Sequence, residues 1–252
     1  MQQLAGRSKT LIIISIKIKN NEMENMKKKI ADQNSYDYII VGAGSAGCVI
    51  ARRLLDNTDA KILLLEAGGD DVYLPSVTNP TKWFNNMGTE RDFQYQYSPS
   101  IHSNGRIVNF ARGRVLGGSG SINGMVWARG QAADYNSWAK VAGSSWSYSS
   151  VLPFFKRVEN WEGGETDFHG GKGLMHIERA KKRGIVANSF IDGCVSYGMP
   201  FLKDINGKSP EGVGIMASNV KNQERWSPFK AYLQPVLEHP NLTVCKSQRS
   251  AN

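Results

Sequence analysis

The sequence predicts an α/β fold built around parallel strands, and three features carry that expectation. A β-branched apolar run, residues 36–41, meets glycines at 42, 44 and 47. A helical stretch and a second apolar run, residues 61–69, follow it directly. Further on, residues 111–130 form a second dense glycine region. Strand, glycine turn, helix and strand within about thirty residues make a βαβ unit, whose two strands lie parallel.

Each element has its own reason. Residues 36–41 read as a buried strand because they are apolar, β-branched and bounded by Gly42. Residues 45–56 read as a helix, with Val49, Ile50, Leu54 and Leu55 facing inward and Arg52 and Arg53 outward. Residues 61–69 give a second buried strand stopped by glycines, and residues 70–112 read as irregular and rich in aromatics. A helix is expected from near Ser149 or Ser150, which puts Pro153 in its first turn, where a missing N–H costs little. Residues 170–178 turn into a strand, and residues 186–197 form a helix ended by Gly198 and Pro200. A last helix is expected over 227–238 and a last strand over 242–244. No internal repeat is visible.

Bulk composition narrows the function classes. A chain of 252 residues can bury one large core or two small ones. The net charge of +9 raises nucleic acid or acidic lipid as partners. Seven bases against three acids fall within residues 1–35, however, and beyond them "KKR" at 181–183 is the only basic run. No nucleic-acid partner is expected. Cys48, Cys194 and Cys245 are odd in number and far apart, so reduced thiols are expected, with neither a disulfide framework nor a metal site.

The segment "LIIISIKIK" at 11–19 is interrupted at Lys17, short of a signal h-region of roughly 7–15 residues. It is also far short of a span of about 20 residues. Met26 opens "MKKKIADQNS" as an alternative start. Residues 1–35 are therefore read as a disordered or artefactual extension, with a degenerate targeting segment as the alternative. A cytoplasmic location follows, with peripheral membrane contact as a second option.

Gly42, Gly44 and Gly47, with Ala43, Ser45 and Ala46 between them, make G-x-G-x-x-G at a strand-to-helix junction. Gly42 permits the tight turn, Gly44 lets the backbone approach a pyrophosphate, and Gly47 allows close helix–strand packing. The helix start offers N–H groups and a positive dipole end to the anion. Glu66, at the end of the second apolar run, can accept from a ribose diol and would repel a 2′-phosphate. The reading is dinucleotide binding, with FAD and NAD both open at this point. Ser119 lacks the final glycine of a G-x-S-x-G elbow, because Ser121 stands there, so a serine hydrolase is not expected.

"GRVLGGSGSINGMVWARG" separates the two cofactors, because it resembles the first signature of the glucose–methanol–choline oxidoreductase family of flavoenzymes. The match takes in Gly113, Arg114, Leu116, Gly117, Gly118, Ser119, Ile122, Asn123, Gly124, Arg129 and Gly130. "LLLEAGG", "FHGGKG", "RWSPFKAYL" and "HPNLTV" are similar to choline dehydrogenase-like members, so the resemblance runs from about 36 to 244. It implies an FAD/NAD(P)-binding Rossmann-like domain over 36–165, the start of an α+β substrate domain over 166–220, and a return to the first domain over 221–252.

It also implies an FAD site made from Gly42, Gly44, Ser45, Ala46, Gly47, Glu66, Ala67, Arg114, Leu116, Gly117, Gly118, Ser119, Asn123, Gly124, Met125 and Val126. The implied activity is oxidation of a small-molecule alcohol, with a proton passing to a catalytic His and a hydride to the flavin. Covalent members attach the flavin through a His where this chain has Ile122, so non-covalent FAD is implied. Gly120 stands where relatives usually carry Ser, which should loosen the loop slightly.

The family's catalytic His belongs to a later part of the fold, and no residue of this chain is assigned that role. His102, His169, His176 and His239 are each read as a surface or satisfied histidine. A truncated or frameshifted product, inactive alone, is the simplest expectation. The alternatives are a non-catalytic flavin-binding or interaction fragment and an NAD-dependent Rossmann dehydrogenase, the latter leaving 113–130 without a purpose.

Overall fold

A computed structural model describes residues 35–181, 184–208 and 211–247. The N-terminal extension, most of the "KKR" run and the last residues of the chain lie outside the described residues. In chain order the main elements are β1 (Tyr38–Val41), α1 (Ser45–Asn57), β2 (Ile62–Glu66), β3 (Val126–Trp127), α2 (Ala132–Ala142) and α3 (Tyr148–Val158). They continue as β4 (Glu159–Trp161), β5 (Met175–Arg179), α4 (Ile185–Ser196), β6 (Ala217–Ser218) and β7 (Leu242–Lys246). Among the described residues, no helix is long and apolar enough to cross a membrane.

The chain packs as two compact units. The first draws its described residues from Met1–Tyr73, Asn86–Ile122 and Pro228–Asn252, the second from Leu74–Asn85 and Asn123–Ser227. The stretch 123–165, expected with the first part, thus packs in the second, because β3 and β4 hydrogen-bond into that unit's sheet.

The first unit contains the βαβ core as expected. Its sheet has the order β1-β2-β7, and both ladders are parallel. β2 is the central strand: Ile62, Leu63 and Leu64 are all buried. β1 is shorter than expected and is not buried, since Tyr38 and Ile39 are 46% and 48% exposed. It lies at the edge of the sheet, and the successive residues Tyr38 and Ile39, which point to opposite faces, are both open to solvent. On α1 the inward face is Gly47, Cys48, Ala51 and Leu55, whereas Ile50 is exposed. Small side chains win that face because the helix lies almost against the turn that precedes it.

The last helix also departs from expectation. Residues 227–238 form a π-helical turn, Phe229–Leu233, running into a 3₁₀ turn, Gln234–Val236. The Gln234 N–H closes the π turn on the Phe229 carbonyl, five residues back. Pro235 has no N–H to donate to Ala231, so the regular ladder cannot continue there.

The second unit has a mixed sheet of order β3-β6-β5-β4. α3 begins earlier than expected, with Ser147 as its cap, so Pro153 lies inside the helix rather than in its first turn. α4 matches its expected span closely, and Gly198 follows it with φ +98°.

Candidate functional site

The first glycine turn is built from three different uses of a missing side chain. Gly42 leaves β1 with φ +95°, a left-handed conformation natural to glycine. Its N–H donates to the Leu65 carbonyl at 2.7 Å, tying the turn to β2. A Cβ on Gly47 would lie 2.0 Å from the Gly42 carbonyl oxygen, so no side chain fits between helix and strand. A Cβ on Gly42 or Gly44 would meet nothing within 4 Å, and that face of the turn is open. α1 starts there with no side-chain cap and no acid in its first turn. The amides of Ser45, Ala46 and Gly47 thus begin the helix beside an open surface, the arrangement that suits an anion.

Glu66 closes the turn from the side of β2. It is 7% exposed, and its two oxygens accept from Ala43 N–H and Gly68 N–H, each at 2.7 Å. Burial pushes its carboxyl above the usual range, against the pull of those two N–H groups and of the Arg114 charge. The Ala67 N–H acts on the same carboxylate, so three backbone donors face its two oxygens. The residue expected to hold a ribose therefore also holds the glycine turn in shape. Next to it, the Ala67 carbonyl accepts from Arg114 Nε at 3.2 Å.

The second glycine region packs on the first. Gly117 N–H donates to the Ala43 carbonyl at 2.7 Å, and Leu116 N–H to the Gly69 carbonyl at 3.2 Å. A Cβ on Gly118 would lie 2.7 Å from Gly44 Cα, so the two backbones touch. Ser119 Oγ accepts from Gly113 N–H at 3.0 Å, and Ser121 donates to the Leu116 carbonyl at 2.7 Å. The loop is not loosened at Gly120. A Cβ there would come within 2.6 Å of the Pro228 ring and 2.9 Å of Ser45 Oγ, so the glycine permits tighter packing. Cys48 sits beneath this contact, its thiol donating to the Ala43 carbonyl at 3.2 Å. Burial pushes its pKa up to about 12.

The remaining predicted residues, Asn123 to Val126, belong to the second unit. They make a turn with Met125 at φ +57°, in which Asn123 Oδ1 accepts from Met125 N–H at 3.0 Å. Asn123, Gly124 and Val126 are exposed, whereas Met125 is buried.

Sequence reasoning missed a buried charge network in the second unit. Glu159, fully buried, accepts from Trp127 Nε1 at 2.8 Å, Arg129 Nη2 at 2.7 Å and His169 Nδ1 at 2.8 Å. His169 Nε2 donates to Asp204 at 2.8 Å, and the ring stacks on Trp161. Burial opposes the charge on His169, but hydrogen bonds to Asp204 and Glu159 outweigh it and raise the pKa to about 9. The only sequence signals were a lone Arg after "MVWA" and the lone His of "FHGG". Of the other histidines, His176 contacts Glu178, and His239 Nδ1 accepts from Asn241 N–H. His102 is exposed on a 3₁₀ turn.

Comparison with known proteins gives a consistent picture. A family model described as GMC oxidoreductase matches residues 36–251. Mitochondrial choline dehydrogenase of Mus musculus is 37% identical over 217 residues, covering 83% of this chain and 36% of that protein. An oxygen-dependent choline dehydrogenase of Vibrio vulnificus is 41% identical over 217 residues, covering 85% and 39%. Among solved structures, pyridoxine 4-oxidase from Mesorbium loti aligns with a TM-score of 0.78 at 31% identity, over 84% of this chain and 42% of that one. A formate oxidase aligns with a TM-score of 0.74 at 24% identity, over 84% of this chain and 38% of that one, which is likeness of fold. The chain thus spans about two fifths of the length of the proteins that it matches.

Proposed function

Since the chain belongs to the GMC oxidoreductase family, we propose that it is the FAD-binding part of an alcohol oxidoreductase and holds FAD without a covalent bond. The observation that carries this reading is the open face of Gly42 and Gly44 at the uncapped start of α1. Gly44, Ser45, Ala46 and Gly47 would receive the pyrophosphate. Glu66 would accept from the ribose, with Ala67 beside it. Arg114, Leu116, Gly117, Gly118 and Ser119 would supply the backbone that borders the cofactor, and Asn123, Gly124, Met125 and Val126 enter through the family loop to which they belong. Bound FAD supplies the hydride acceptor for a small-molecule alcohol. The chain's own residues bind and orient it.

Ile122 stands where covalent relatives carry the attaching His, and its side chain has no nucleophilic atom. Acid precipitation of the purified protein should therefore release all flavin into the supernatant, and yellow colour kept in the pellet would overturn the non-covalent reading. We assign the substrate proton to none of the four histidines. His169 is committed to two carboxylates, and the others make local contacts or lie exposed. On their own, these residues should bind the cofactor and not turn over alcohols.

A further inference from the structure

The second unit holds a cavity of about 570 Å³, within the roughly 300–1,000 Å³ of small-molecule sites. It uses none of the residues assigned to the cofactor. Its walls come from the stretch between β3 and α2, from the start of α3, and from the segments around Phe168 and Asn206. Those walls are braced from behind. Arg129 N–H donates to Asn206 Oδ1 at 2.8 Å, and Asn206 Nδ2 donates to the Trp127 carbonyl at 3.0 Å. The Arg129 guanidinium is held in turn by Glu159 and by the Phe168 carbonyl, so the buried charge network fixes the shape of the cavity.

The lining carries two bases, Arg129 and Lys208, and no acid. The Arg129 side chain is 6% exposed, and its Nε is buried without a hydrogen-bond partner among the described residues. Buried polar groups are nearly always paired, so an orphan donor in a cavity wall points to an acceptor that belongs there. α2 starts on the same wall. Asp134 N–H and Tyr135 N–H both reach the Gln131 carbonyl, whereas the N–H groups of Ala132 and Ala133 precede the first helical acceptor. Both alanines are exposed and line the cavity, at the end of the helix dipole that favours negative charge. Of the acids that adjoin the lining residues, Asp134 accepts from Gln131 N–H and Asp204 from His169 and Asn206 N–H, while Asp167 is exposed to solvent. Tyr148, Phe168 and Ile205 add apolar surface.

We propose that this cavity is a second ligand site, one for a small organic carboxylate. The carboxylate would accept from Ala132 and Ala133 N–H beside the Lys208 ammonium, and it would give Arg129 Nε the acceptor it lacks. The apolar body would lie against Tyr148, Phe168 and Ile205. Adjacent N–H donors and one exposed ammonium match a single negative charge carried on two oxygens. The site does not depend on FAD.

Benzoate is the probe, titrated into the full chain while the Ala132 and Ala133 amide resonances are followed. They should shift saturably. Benzamide, of the same shape without the charge, should bind roughly tenfold more weakly, and inorganic phosphate, with no apolar body, should also bind more weakly than benzoate. Ala132→Pro removes one N–H at the first helical position, where proline fits the extended Gln131 before it. It should weaken benzoate about tenfold at the parent's melting temperature. Lys208→Ala, at an exposed residue, should weaken it about threefold. The site would be overturned by the absence of a saturable shift in the parent. Parent-like benzoate affinity in either variant that keeps the parent's melting temperature would overturn it too. Benzamide or phosphate bound as tightly as benzoate would overturn an organic carboxylate as the ligand.

Discussion

Glu66 joins the first glycine turn to the loop after β2, and its oxygens face two backbone N–H donors at 2.7 Å. Glu66→Gln would turn an NH₂ group toward one of those donors. It should cost about 1–3 kcal/mol of stability, the penalty of an unsatisfied buried group. Urea unfolding of the two proteins would measure this, and equal midpoints would mean that the contact contributes nothing. His169 gives a prediction in pH. Its folded pKa is raised from 6.5 to about 9, so its contribution is complete below about 6.5 and is lost as pH rises through about 9. Melting temperature should fall across that window in the parent, and the fall should shrink in His169→Gln. A slope unchanged by the substitution would assign the pH dependence to another group.

Elements formed where the sequence pattern matched their packing, and departed where packing alone decided. The βαβ unit was legible because strand, glycines and helix agree locally. The exposure of β1 was not, since an apolar run reads the same at a sheet edge as at its centre. α2 went unread; it has no buried residue, and Tyr135 and Trp138 on it pack against the rings of Phe155 and Trp146. It is held at its start by Gln131 and Asp134, whose cap includes Gln131 N–H donating to Asp134 at 2.7 Å. The second glycine region was legible as a loop, but its contact with Pro228 and Ser45 was not, because both lie far from Gly120 in the chain. Gly120→Ala tests that contact. The added methyl meets the Pro228 ring at 2.6 Å, and overpacking of this kind costs about 1–3 kcal/mol. A variant as stable as the parent would show that the 228–233 turn gives way easily. Cysteine labelling of the native protein is a simpler check: Cys48 and Cys245 are buried and Cys194 is partly exposed, so Cys194 should react first.

At the scale of the whole molecule, the glycine turn between β1 and α1 was readable in the sequence, as were the acid at 66 and the second glycine loop. The buried Arg129–Glu159–His169–Asp204 network was not, because Arg129 and Glu159 lie 30 residues apart in the chain and His169 and Asp204 lie 35 apart. Purified protein supplied with FAD should show no dye reduction above free flavin with choline, aliphatic, aromatic or sugar alcohols. Turnover would point to an unrecognised base, with His102 or His176 first to be tested. The central claim is narrower than activity: the open face at Gly44 is where the cofactor's pyrophosphate lies. Equilibrium titration of FAD into the parent and Gly44→Val tests it most directly. Gly44 has nothing within 4 Å of its added Cβ, so valine should leave the fold intact and fill the ligand's place. The account predicts saturable binding by the parent and at least a tenfold loss in the variant at unchanged melting temperature. Equal affinity in the two proteins would contradict it.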